Sequence, residues 1–275
     1  MSLTPDTNDA AIATEAEEPL VDPGDLASLR SRIGKQMTVR AKPYLTEATR
    51  DGARRWAAAL GDRNPLWTDP DYARRWGHED LLAPPTILYA FDKQSIGYRG
   101  GLPGVHSFFA GTNWTWYRPI VRGAEIKAEV TFKDLIERKS TFAEVSFQQV
   151  SEVTFRDQDG AVVAVSEPWG IRVSRRAAQD REKSRPVEVA TYEPDEIAAI
   201  AEEYAAEVVH TEPLDPDSVG VGDRLPQMVR GPYTVTNGIA FEQAWGGLFV
   251  MAHGEWFEYL RRHPAAGLLN ELGIP

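Results

Sequence analysis

The chain has 275 residues, 42% of them apolar and 26% charged, which supports one large globular domain or two ordinary ones. A net charge of −11 repels polyanions and argues against a nucleic-acid role, and the absence of cysteine excludes disulfides, thiolate metal sites and a cysteine nucleophile. The five histidines never take the i, i+4 spacing of a helical zinc motif, so no metal site is expected, and no run of 18 apolar residues offers a membrane span.

Residues 1–22 hold six acidic side chains and no Lys or Arg, and read as a disordered acidic tail. No basic segment leads into an apolar run there, so no signal peptide is expected and the default location is the cytoplasm. Leu26 to Ile33 reads as a short helix and residues 36–42 as a first strand. Ala53, Trp56, Ala57 and Leu60 then fall at i, i+3, i+4, i+7, an amphipathic helix that Thr46 or Thr49 caps and that Gly61 and Pro65 stop. Asp-Pro at 69–70 opens another short helix. The apolar stretch 81–91, "LLAPPTILYAF", carries Pro84 and Pro85 at its front, where a helix accepts proline.

From residue 107 the apolar period becomes two. Segments 108–120, 126–133, 141–155 and 161–174 read as antiparallel strands, with a hairpin turn at "DQDG" (157–160). One face of such a sheet needs cover, and the 81–91 helix supplies it. The predicted class is therefore α+β, a sheet wrapped round a helix. "GYRGGLPG" (97–104) lacks the Lys-Ser/Thr of a phosphate loop and reads as a flexible loop. Residues 176–193 read as a linker. A helix follows over 194–208, then strand-like "PYTVT" (232–236), helical "NGIAFEQAW" (237–245), and a final helix, turn and helix. The two parts rhyme: in each, a β-rich "TV" segment leads to an amphipathic helix that ends in Gly-Asp or Gly-Gly.

The stretch "GDRNPLWTDPDYA" (61–73) resembles the signature of the MaoC-like, R-specific enoyl-CoA hydratases, Gly-Asp-x-Asn-Pro-apolar-His-x-Asp-Pro-x-x-Ala. Gly61, Asp62, Asn64, Pro65, Leu66, Asp69, Pro70 and Ala73 fit it, and Trp67 stands where the family has His. The order that follows, a helix and then four strands with a reversing turn at Arg122-Gly123, is also similar to that family. The resemblance covers roughly residues 36–175 and implies a hot-dog fold. "GDRLPQMVRGPYTVTNGIAFEQAWGG" (222–247) resembles the start of a second hot-dog unit. The domain organisation implied is an acidic tail (1–22), a complete unit (23–175), a linker (176–193) and a partial second unit (194–275).

Hydration of an enoyl thioester needs a base for water, an acid for the α-carbon and donors for the thioester oxygen. The family handles water with Asp and His, and receives the oxygen on a backbone N–H where an "Ala-His-Gly" segment opens a helix. Here an indole replaces the imidazole, and an indole N–H is a donor only. "LAPPT" (82–86) aligns with that helix start, so Pro84 and Pro85 replace His and Gly, and Pro85 has no N–H to give. Asp62 remains the motif-placed carboxylate; Asp62 and Asn64 also suit a purely structural role as turn caps. In the second part Gly247 occupies the expected Asp position, and His253, offset by one residue, is the nearest ionisable group. Asn64, Trp67, Pro84, Pro85, Thr86, Trp114, Trp116 and Arg118 are the candidate pocket residues. The tryptophans have the alternative of simple core filling. Arg74, Arg75, Arg118 and Arg122 are candidate cations for the phosphates of coenzyme A.

The resemblance extends to two-chain dehydratases, in which one chain carries the catalytic pair and the other, with a Pro-containing helix start, shapes the pocket. It implies a subunit of a heteromeric enoyl-CoA hydratase (3-hydroxyacyl thioester dehydratase) in fatty-acid or steroid side-chain metabolism. Its substrate is an acyl-CoA thioester, coenzyme A enters only as part of that substrate, and its partner is a second hot-dog chain in a heterodimer or heterotetramer. The alternatives are a non-catalytic acyl-thioester-binding or scaffold protein, and a self-sufficient hydratase or thioesterase using Asp62 or His253.

Overall fold

The computed structural model describes residues 21–38, 43–91, 97–140, 144–174, 189–208, 215–224, 226–246, 253–264, 267 and 271–273. Asp22 accepts from the backbone N–H groups of Gly24 and Asp25 and opens helix α1, Pro23–Arg30. That helix starts three residues before its sequence-predicted position, because an Asp cap followed by Pro is a stronger start signal than the apolar spacing. Asp22 thus belongs to the folded body, whereas residues 1–20 of the expected tail lie outside the described residues. Strand β1 is only Gln36–Met37, and 39–42 of the expected strand are likewise outside.

Helix α2, Arg50–Leu60, is capped by Thr49, whose Oγ1 accepts from the Gly52 N–H, and is closed by Gly61 in the left-handed region at φ 66°. It buries Ala53, Trp56 and Ala57, the predicted face. A short 3₁₀ turn (Pro65–Trp67) and helix α3 (Pro70–Arg75, capped by Asp69) follow. The 81–91 stretch departs from the expected continuous helix. Leu82–Ala83 form strand β2, Pro85–Ile87 a 3₁₀ turn, and Leu88–Phe91 one α-helical turn, α4. Two consecutive prolines supply no backbone donors, which leaves Leu82 and Ala83 extended.

The main sheet holds β1, β3 (Val105–Trp116), β5 (Lys127–Ser140), β6 (Glu144–Arg156) and β7 (Val162–Ser174), in the antiparallel order β1-β5-β6-β7-β3. Strand β2 pairs separately with β4 (Ile120–Val121). The Asp157 side chain accepts from the backbone of Asp159 and Ala161 and forms the predicted hairpin turn. Ile126, Val130 and Phe132 are buried as the alternation requires. A bulge between Phe132 and Asp134 then switches the phase, so that Leu135 is the next buried residue. Ile87, Leu88, Ala90 and Phe91 join Val130, Val153, Phe155, Val163 and Ala164 in one core cluster, so the sheet wraps the 85–91 segment in an α+β hot-dog arrangement.

The Gly-rich loop over 97–104, read from sequence as flexible, is tied down. Buried Arg172 donates to the carbonyls of Arg99, Leu102 and Val105 and to Oε1 of Gln149. Its guanidinium pKa is lowered by desolvation and then by the charge of Arg99.

Beyond this body, helix α5 spans Pro194–Ala206, within the expected 194–208. Residues 176–188 of the expected linker are outside the described set. "PYTVT" forms no strand; Thr234 instead makes a capping box with Asn237 and starts helix α6, Val235–Trp245. The last described helix, α7, is His253–Arg262. The second helix expected after it falls largely outside the described residues.

Helices α2 and α6 are structural counterparts. Each has a Thr cap, 11 residues and a left-handed Gly at its end, Gly61 at φ 66° and Gly246 at φ 61°. They pack on each other through equivalent residues: Trp56 and Phe241, each seven positions after its cap, meet at 5.9 Å between ring centroids. The clasps are reciprocal too. Arg230, just before α6, donates to the Leu60 carbonyl at the end of α2 (3.0 Å). Tyr44, just before α2, donates to the Gln243 carbonyl at the end of α6 (3.2 Å).

Candidate active site

The 61–70 segment is a series of nested caps. One Asp62 oxygen, Oδ1, accepts the Asn64 N–H at 2.9 Å. Asn64 Oδ1 accepts the Leu66 N–H at 3.0 Å and starts the 3₁₀ turn. Asp69 Oδ1 accepts from Asp71 and Tyr72 and starts α3. Gly61 and the two prolines at the helix starts supply the special backbone angles. This local folding curls the 3₁₀ turn back on Asp62, and Trp67 Nε1 donates to Asp62 Oδ2 at 2.9 Å. Both carboxylate oxygens therefore accept protein N–H groups. The indole, 7% exposed, packs with Ala57 and Leu82. An indole stands beside the carboxylate where the signature has an imidazole, and it gives a hydrogen bond without being able to take a proton.

Trp67 is also one wall of a cavity of about 390 Å³, at the small end of ligand pockets. Leu82, Ala83, Pro85, Trp116, Tyr117, Arg118, Pro119 and Ile120 complete its lining. The β2–β4 pairing, Leu82 opposite Val121 and Ala83 opposite Ile120, holds the two sides together. The wall is mostly apolar; its one charged member, Arg118, is half-exposed and paired with Asp157 at 3.4 Å. Trp116 stacks on Trp114 at 5.2 Å and 9°, and Trp114 stacks on buried Phe155 at 5.5 Å and 24°.

Of the sequence-predicted pocket residues, Trp67, Pro85, Trp116 and Arg118 line this cavity. The others stand behind it. Pro84 is fully buried ahead of the 3₁₀ turn, and its carbonyl accepts the Ile87 N–H. Thr86 Oγ1 accepts Trp56 Nε1 at 3.0 Å and so anchors the turn to α2. Asn64 caps, and Trp114 supports Trp116 while donating Nε1 to the Tyr89 hydroxyl at 3.1 Å. His253, the other ionisable candidate, is the exposed first residue of α7 at φ 55°. Among the described residues no hydrogen bond, ion pair or ring contact joins it to Asp62 or to the cavity. Gly247 lies outside the described residues.

The remaining coenzyme A candidates are engaged locally: Arg74 with Asp71, Arg122 with Asp80, and Arg75 over the Tyr72 ring at 5.4 Å. Among the described residues no cluster of His, Asp and Glu could hold a metal ion, and no helix is long and apolar enough to cross a membrane. Sequence reasoning missed Tyr89, Tyr117 and Trp245. The i, i+2 spacing of Trp114 and Trp116 on a strand did carry the signal for their stacking, since such residues share a face.

Residues 35–166 match the family model described as the FAS1-like, dehydratase domain region. A UPF0336 protein of Parafrankia sp. is 32% identical over 91 residues, 31% of this chain and 60% of that protein. A probable enoyl-CoA hydratase alpha subunit of Thermomonospora curvata is 26% identical over 151 residues, 48% of this chain and 47% of that protein. A solved MaoC-like dehydratase is 20% identical with a TM-score of 0.49, covering 79% of this chain and 67% of that one. The matches span only 34% to 64% of the length of these UPF0336 relatives.

Proposed function

We propose a pocket-shaping role in acyl-thioester hydration for this chain, whose residues 35–166 belong to the FAS1-like dehydratase regions of the MaoC-like hot-dog family. In this reading it is a subunit of a heteromeric enoyl-CoA hydratase (3-hydroxyacyl thioester dehydratase). A partner hot-dog chain brings the Asp/His pair, in a heterodimer or heterotetramer. The observation that carries the reading is the Trp67 Nε1–Asp62 Oδ2 hydrogen bond at the edge of an apolar cavity.

Each chemical requirement of hydration then has a definite status here. The carboxylate that would direct water is held by an indole and a backbone N–H. The imidazole that would exchange the proton is replaced by a group that cannot. The helix start that would receive the thioester oxygen begins Pro84-Pro85, without an N–H at either residue. Losing an oxyanion donor costs about 10²–10³ in rate, and losing the acid/base partner costs roughly 10²–10⁴. What the chain retains is the apolar cavity for an acyl group, with Arg118 at its rim. Coenzyme A enters as part of the substrate and no separate cofactor is invoked. The domain division at about residue 175, with 194–275 opening a second unit, is supported by the likeness of α2 and α6. The setting proposed is cytoplasmic fatty-acyl or steroid side-chain thioester metabolism.

The test is co-purification with a hot-dog chain carrying a Gly-Asp-x-Asn-Pro-x-His segment, followed by crotonyl-CoA hydration. The complex is expected to turn over, with the partner's Asp and His essential and Asp62 dispensable. A stable complex with no turnover on any acyl-CoA would instead favour the scaffold or acyl-thioester-binding reading.

A further inference from the structure

Trp116 forms a wall of the cavity although it is 42% exposed, so something other than burial must hold its plane. Its stack on Trp114, which stacks in turn on Phe155, fixes one side. Trp114 is itself held by the Tyr89 hydroxyl, at 3.1 Å, and by edge-on packing of the two rings at 5.3 Å and 73°. Tyr89 lies on α4, a single turn with little rigidity of its own. The carbonyls of that turn are held from outside. Leu45 donates to Ala90 at 3.1 Å, and Trp245 Nε1, from the end of α6, donates to the Tyr89 carbonyl at 3.0 Å. Trp245 in turn stacks on Phe241, which packs on Trp56. A continuous series of contacts thus runs from α6 through Tyr89 to the cavity wall.

We propose that Trp245 is a positioning residue for the cavity: by holding Tyr89 it sets the Trp114–Trp116 wall, so that docking of α6 tunes the affinity of the first unit for acyl thioesters. The inference rests on the acyl-pocket reading for its ligand, but not for its geometry. The hydrogen bonds act in series, so losing either the upper or the lower one loosens the same wall. A net contribution of about 0.5–1.5 kcal/mol per bond corresponds to a twofold to twelvefold change in affinity.

The experiment uses the full chain with Trp245→Phe, which keeps a ring and removes the N–H, and Tyr89→Phe, which removes the hydroxyl acceptor. Tyr44→Phe is the comparator, because the Tyr44 hydroxyl clasps the same end of α6 through the Gln243 carbonyl and not through Tyr89. The readouts are crotonyl-CoA affinity and the exciton circular dichroism of the stacked Trp114–Trp116 pair. Both Trp245→Phe and Tyr89→Phe should weaken binding about threefold to tenfold and diminish the exciton signal, with the double variant no worse than about the larger single effect. Tyr44→Phe should change neither. An unaltered exciton signal and affinity in Trp245→Phe would overturn the proposal, as would a lowered unfolding temperature alone. Equal losses in Tyr44→Phe would also overturn it, because they would mean general loosening of α6. If the parent chain binds no acyl-CoA, the acyl-pocket reading fails, while the exciton signal still decides the positioning role.

Discussion

The Trp67–Asp62 hydrogen bond is where the signature of an acid/base site becomes a structural joint. Its energy is measurable: Trp67→Phe keeps the packing against Ala57 and Leu82 but removes the donor. Chemical denaturation should show a loss of about 1 kcal/mol with an unchanged m-value. Restoring chemistry is a separate question, because two parts are missing. Trp67→His alone should give at most weak crotonyl-CoA hydration. Adding Pro85→Gly should raise the rate by about 10²–10³, the usual worth of an oxyanion donor, and no gain on that addition would remove Pro85 from the account. The absence of an imidazole and of a Pro85 N–H was legible in the sequence, since both follow from residue identity. That the indole would close onto Asp62 was not. It depends on two nested caps, Asp62 and Asn64, bending the chain within six residues, which no single side chain announces.

At the scale of elements, the sheet was readable because alternating residues must face one core; strands β3, β6 and β7 stand close to their expected positions, while β5 starts as expected and runs seven residues beyond its expected end at 133. The bulge after Phe132 was hidden, because period two looks continuous until its phase changes. "PYTVT" misled for a different reason. Its β-branched residues favour a strand, but Thr234 and Asn237 satisfy each other's backbone donors and start a helix instead. The Arg172 clamp was likewise invisible, since the residue sits in an ordinary-looking strand. Arg172→Met should lower unfolding free energy by about 2–4 kcal/mol, because several buried carbonyls lose their donor together. Arg172→Lys should rescue little, as a point cation cannot span that set.

For the whole molecule, the pairing of α2 with α6 joins the C-terminal part to the first unit. Gly246 is a sensitive point of that joint. Its φ of 61° disfavours a side chain, and a Cβ there would run into the Tyr44 ring. Gly246→Ala should release α6, and protection of α6 amides from hydrogen exchange should fall while that of β5 and β6 persists. The rhyme between the two parts was faint in sequence because only Thr, Gly and an aromatic position are shared. It is plain in three dimensions because those three features cap, stop and join the helices. The central claim is that the first unit offers a cavity without working acid/base groups, and the hydration rate of crotonyl-CoA by the isolated chain tests it most directly. That rate should be indistinguishable from buffer at every pH and unaffected by Asp62→Asn. Turnover that the same substitution abolishes would show that Asp62 escapes Trp67 and works as a base.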